Sequence, residues 1–99
     1  MSDLQVVAVL VAQPGQEEVL RGALRALVPP TLQEPGCLSY QLFESGAAAG
    51  TFVTVERWRA QADLDAHLQT PHVAQALATA GDALAGAPGI HPLVPVDAG

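Results

Sequence analysis

The chain has 99 residues, four arginines and no lysine, ten acidic residues and a net charge of −6. One hydrophobic core serves a chain of this length, so a single domain spanning residues 1–99 is expected. An acidic chain with four cations lacks the basic stripe that nucleic acid requires, and an anionic membrane surface is disfavoured for the same reason.

Leu4 to Ala12, LQVVAVLVA, is apolar at both parities. This predicts a strand buried on both faces. Pro14-Gly15 ends it. Val19, Leu20, Ala23, Leu24 and Leu27 then recur at helical spacing, with Glu17 and Glu18 in the first turn, where the helix dipole favours anions. The helix is predicted over residues 16–28, with Pro29-Pro30 ending or kinking it and a short turn filling Thr31 to Glu34.

Residues 37–44, CLSYQLFE, alternate as a strand. The small-residue loop SGAAAG joins them to the β-branched and aromatic run TFVTVERW at 51–58, which predicts a hairpin. Leu64, His67 and Leu68 share one side of a short helix from about Gln61, and Thr70-Pro71 opens another with a capping hydroxyl and a proline at the first helical position. That last helix is expected to turn Val73, Ala76, Leu77, Ala80 and Leu84 inward. Residues 90–96, IHPLVPV, read as a proline-bearing edge strand.

The order βαββαβ is the split βαβ pattern of an α+β ferredoxin-like domain, an antiparallel sheet with helices on one face. The open face needs a cover. A strand apolar on both sides is most simply covered by the same face of a second copy, so a homodimer with a barrel of two sheets is expected. No apolar run is long enough to span a membrane, and the start MSDLQVV carries no basic segment with a signal core, so a cytoplasmic protein is expected. Cys37 is the only cysteine, which excludes an internal disulfide and leaves a small hydrophobe at a strand start.

Few residues can carry chemistry. Glu56 and Trp58, two apart on one strand, leave the same face. A carboxylate in an apolar strand must be neutralised or hydrogen-bonded, by Arg25, Arg57 or Arg59 in a structural role or within a functional site. Trp58 is core or a flat wall for a planar ligand. His67 faces the sheet, either as a satisfied core histidine or as a base for a phenolic proton. His72 stands at the start of the last helix, exposed or at the pocket. Tyr40 packs, or turns its hydroxyl into a pocket, as the hairpin register decides. His91 is assigned a structural or interface position. Three scattered histidines without an H-x-x-x-H or a cysteine pair predict no metal site. Without G-x-G-x-x-G or a Walker loop, nucleotide and flavin cofactors lack their usual cradle.

The segments PGQEEVLRGALRAL, EPGCLSYQLFE and VERW, followed nine residues after Trp58 by His67 in DAHLQTPHV, resemble the antibiotic biosynthesis monooxygenase domain family, dimeric α+β barrel proteins that include quinol monooxygenase-like enzymes. Members of that family include cofactor-free oxygenases, an isomerase, haem degraders and proteins of unknown activity. The resemblance implies a cofactor-free monooxygenase acting on a small quinol, phenol or polyketide-like molecule. An isomerase or other proton-transfer enzyme and a non-catalytic binding or stress-response dimer are the alternatives. On this reading His67 is the base or an orienting donor, Glu56 its hydrogen-bonding partner, and Trp58, Tyr40 and His72 contact the substrate. In the haem-degrading branch an iron-ligating histidine falls where this chain has Leu77, which cannot ligate iron, so no haem is expected.

Overall fold

The computed structural model of the chain describes residues 3–97. Four strands form one antiparallel sheet in the order β2-β3-β1-β4, where β1 is Leu4–Val11, β2 Cys37–Glu44, β3 Thr51–Trp58 and β4 Gly89–Pro92. Helices α1 (Glu17–Leu32), α2 (Gln61–His67) and α3 (Pro71–Ala80) complete the ferredoxin-like α+β architecture. Val6, Ala8 and Leu10 of β1 and Phe52, Thr54, Glu56 and Trp58 of β3 are buried on one face. Leu20, Ala23, Leu24 and Leu27 of α1 cover that face, together with Val73 and Ala80 of α3. Val19, placed with the inner set by its spacing, is exposed.

The opposite face follows from the register. Val7 faces Val55, Val9 faces Val53, and Phe43 faces Val53 from the other side. Among the described residues no helix covers these side chains, and Phe43 and Val55 are exposed. The both-sided apolar character of β1 thus has one face in the core and one left open.

Three predicted boundaries move. Helix α1 runs through Pro29-Pro30 to Leu32. The two prolines deprive the carbonyls four residues back, on Arg25 and Ala26, of their donors, and both residues are exposed, so water can serve them. The last turn is secured by Thr31, whose buried hydroxyl donates to the Leu27 carbonyl at 2.7 Å. Helix α3 stops at Ala80 and passes into a 3₁₀ turn, Gly81–Ala83. Strand β4 ends at Pro92 rather than Val96: after the Leu93 N–H donates to the Gln5 carbonyl at 2.8 Å, the exposed tail pairs with no strand in the described residues.

Candidate active site

The register answers the question left open for Tyr40. Val6, Glu56 and Tyr40 stand side by side across β1, β3 and β2, so the tyrosine and the carboxylate share the helix-covered face. Tyr40, Thr54, Glu56 and His67 supply the polar side chains of a cavity of about 100 Å³, whose remaining lining is apolar and includes Leu24, Leu64, Leu77 and Ile90. Leu77 lies at its mouth, 45% exposed rather than turned fully inward.

Glu56 is 4% exposed, and its partners are neither an arginine nor His67. The Trp58 indole N–H donates to Oε1 at 2.8 Å and the Thr54 hydroxyl donates to Oε2 at 2.5 Å. Two of the three expected guanidinium partners are committed elsewhere. Arg57 leaves the open face and pairs with Asp3, and Arg59 pairs with Asp63 at 2.8 Å. Trp58 is completely buried and does not line the cavity. It sits beneath His67, the two ring centroids 4.8 Å apart, so it braces the imidazole instead of forming the expected wall.

His67, 4% exposed, is held by a residue that the sequence reading passed over as part of a turn. Its Nδ1 lies 2.7 Å from Oε2 of Glu34, and His72 Nε2 lies 2.6 Å from that same oxygen. A carboxylate only accepts, so each of these ring nitrogens carries the hydrogen. In a neutral His67 ring Nε2 is then the nitrogen without a hydrogen. It has no hydrogen-bond partner among the described residues, and the His67 side chain lines the cavity. His72 lines a separate groove between α1 and α3 rather than this cavity.

Local chemistry fixes these three side chains. Glu34-Pro35-Gly36-Cys37 is a tight turn in which the Cys37 N–H donates to the Glu34 carbonyl at 3.1 Å. Proline takes its second place, and Gly36 takes the third with φ of 86°. A Cβ on Gly36 would lie 2.3 Å from Cγ of Asp63, so the turn presses directly on α2. Thr70 joins the two histidine-bearing helices: its hydroxyl donates to the His67 carbonyl at 2.7 Å and accepts the Val73 N–H at 3.4 Å.

Burial, with Glu56, Cys37 and Glu34 nearby, pushes the Tyr40 phenol well above its ordinary range, so it stays neutral and can donate. Burial raises the Cys37 thiol as well, with Glu34 and Glu56 adding to the effect, which keeps it protonated and a weak nucleophile.

The site is thus a ferredoxin-like sheet carrying a carboxylate-bound imidazole beside a small, mostly apolar cavity. Residues 4–79 match the antibiotic biosynthesis monooxygenase family, and the chain belongs to that family. It is 36% identical over 96 residues to Rv0793 of Mycobacterium tuberculosis, covering 97% of this chain and 94% of that protein. It is 36% identical over 92 residues to the "Probable quinol monooxygenase YgiN" of Escherichia coli, covering 82% and 88%. The crystal structure of PA3566 from Pseudomonas aeruginosa superposes with a TM-score of 0.88 at 32% identity, over 97% of this chain and 96% of that one.

No helix among the described residues is long and apolar enough to cross a membrane.

Proposed function

We propose that this monooxygenase-family protein oxidises a small quinol or phenol with molecular oxygen and without a bound cofactor. The observation that carries this reading is the Glu34–His67 hydrogen bond, which leaves an acceptor nitrogen on an apolar cavity beside Tyr40 and Glu56. Transfer of a quinol hydroxyl proton to His67 Nε2 creates an electron-rich anion. Glu56, on the same cavity wall, favours the imidazolium that forms, and the neutral Tyr40 hydroxyl offers a hydrogen bond to the substrate oxygen. The anion passes one electron to dioxygen, the two radicals join in a carbon–oxygen bond, and loss of water from the hydroperoxide leaves a hydroxyquinone. The sum is quinol plus dioxygen giving hydroxyquinone plus water, so no external reductant is consumed.

Cavity size supports a small substrate. An apolar cavity of roughly 150 Å³ takes a benzene ring, and this one, at about 100 Å³ with an open side, suits one ring inside and any second ring at the mouth. An oxygen electrode with a panel of one- and two-ring quinols tests the reading. One dioxygen consumed per hydroxyquinone formed, with no oxygen returned by catalase, is expected. Turnover that proceeds without oxygen would replace it with a proton-transfer reaction, and no turnover at all with a non-catalytic binding protein.

We also propose that two copies pack their open sheet faces together. Val7, Val9, Val53, Val55 and Phe43 make a continuous apolar surface, and Val94 of the tail adds a side chain 82% exposed. Light scattering at micromolar concentration is expected to give the mass of two chains, and a Val53→Asp variant the mass of one. A wild-type chain that runs as a monomer removes the proposal.

A further inference from the structure

The ligand-capable atoms of Glu34, His67 and His72 all lie within 4.8 Å of one another, gathered at the Nδ1 edge of His67. The two nitrogens of an imidazole stand on opposite edges of the ring. Nδ1 of His67 meets Glu34, which also meets His72, while the His67 side chain lines the cavity. His72 in turn lines the groove of about 220 Å³ between α1 and α3, where Gly22, Ala26 and Thr79 are among the small side chains of the walls. Of the three side chains, His72 lines this groove and His67 lines the substrate cavity, so the cluster lies between the two openings.

We propose that Glu34, His67 and His72 bind one divalent transition ion of the zinc type, and that the ion switches off the base. Two imidazoles and a carboxylate are donors that suit Zn²⁺ and its first-row neighbours, whereas Mg²⁺ and Ca²⁺ favour oxygen ligands. The nitrogen–oxygen separations of 2.7 and 2.6 Å are those of hydrogen bonds. Ligands on one tetrahedral ion with bonds of 2.0–2.1 Å stand about 3.3 Å apart, so the ion replaces the two hydrogens as Glu34 moves outward and His72 swings toward His67 from within the 4.8 Å spread of the cluster. Glu34 on its turn and the partly exposed His72 can give in this way, while Trp58 keeps His67 in place.

The consequence is a change of tautomer. A metal on Nδ1 takes the place of its hydrogen, and the neutral ring then carries its one hydrogen on Nε2. The nitrogen on the cavity becomes a donor instead of an acceptor. An ion behind the ring does not touch a substrate in the cavity, so it acts only through the imidazole. Binding of the ion stands on the three side chains alone; the loss of turnover rests on the proton-acceptor reading given above.

Titration of metal-free protein with Co²⁺, read by visible absorption and calorimetry, tests the site without any substrate. One ion per chain, displaced by Zn²⁺, is expected. Glu34→Gln and His72→Gln should each weaken binding at least about tenfold, and His91→Gln on β4 should leave it unchanged. Imidazole ¹⁵N spectra should show His67 losing the Nδ1 hydrogen and gaining one on Nε2 when Zn²⁺ is added. Absence of stoichiometric binding, or binding untouched by His72→Gln and Glu34→Gln in variants that keep the wild-type circular dichroism, overturns the site. With an oxidised quinol in hand, Zn²⁺ should stop turnover reversibly, and a chelator should restore it. Turnover indifferent to bound Zn²⁺ overturns the switch while leaving the site. Failure of every quinol to react counts against the oxidation reading and leaves the binding and ¹⁵N results to decide the site.

Discussion

Replacing His67 with alanine is expected to lower quinol turnover by roughly 10²- to 10⁴-fold, the usual worth of a positioned proton transfer. KM should move far less than kcat, because the walls that hold the ring are Leu24, Leu64 and Leu77, not the imidazole alone. The substitution leaves a space above Trp58 next to the cavity, so imidazole added to the buffer should enter it and restore part of the rate. A His67→Phe variant fills that space and should not be rescued. Glu34→Gln separates orientation from proton transfer: the amide oxygen can still accept from Nδ1, but the charge that stabilises the protonated ring is gone. Its rate should fall between wild type and His67→Ala. Unchanged turnover in His67→Ala, in protein that retains its native circular dichroism, would remove the imidazole from the mechanism and leave Tyr40 as the polar group facing the substrate.

The sheet was legible because its cues are local and repeat every two residues. The runs VVAVLVA and TFVTVERW are long enough to place Val6, Ala8, Glu56 and Trp58 on one face without knowing what lies opposite. The phase of His67 against Leu64 likewise put the imidazole on the sheet side, where it lies buried. What could not be read was which carboxylate would meet it. Glu34 lies 33 residues before His67 and 38 before His72, in a turn between Pro29-Pro30 and Pro35-Gly36, and no periodic signal marks an acidic residue there as buried. The signals that were present are Pro35-Gly36, a tight-turn dipeptide that fixes the carboxylate at a strand entrance, and Thr70-Pro71, which brings the start of α3 against the end of α2. Recognising that both turns end on the same side of the sheet would have brought the three residues together. The opposite error befell Glu56 and Trp58. Their shared face was correct, but at a spacing of two residues they satisfy each other, and the indole N–H holds the carboxylate away from His67. The proline pair misled for a related reason: proline removes donors, and whether that ends a helix depends on whether the orphaned carbonyls are wet, which is a property of the packed molecule.

That mutual satisfaction makes Glu56 the residue whose removal should most affect stability. Glu56→Ala takes the acceptor from two buried donors at once, the Trp58 N–H and the Thr54 hydroxyl, on side chains that are themselves completely or almost completely buried. An orphaned buried donor costs roughly 1–3 kcal/mol. The Thr54 hydroxyl can rotate toward another acceptor, whereas the indole N–H is fixed by its packing, so a total of about 3 kcal/mol is expected. In a domain of this length each kcal/mol lowers the melting temperature by roughly 4–8 °C, which predicts a fall on the order of 15 °C by circular dichroism. Glu56→Gln is the informative contrast. Its amide oxygen still accepts from Trp58 and its amide N–H₂ can donate to the Thr54 oxygen, so the melting temperature should remain near that of wild type. The negative charge on the cavity wall is nevertheless lost, and with it the attraction for an imidazolium at His67, so Glu56→Gln should slow turnover while folding normally. If Glu56→Ala melts with wild type, the carboxylate does not anchor Trp58. If Glu56→Gln is as fast as wild type, Glu56 serves the fold alone and the proton chemistry rests on His67 and Glu34.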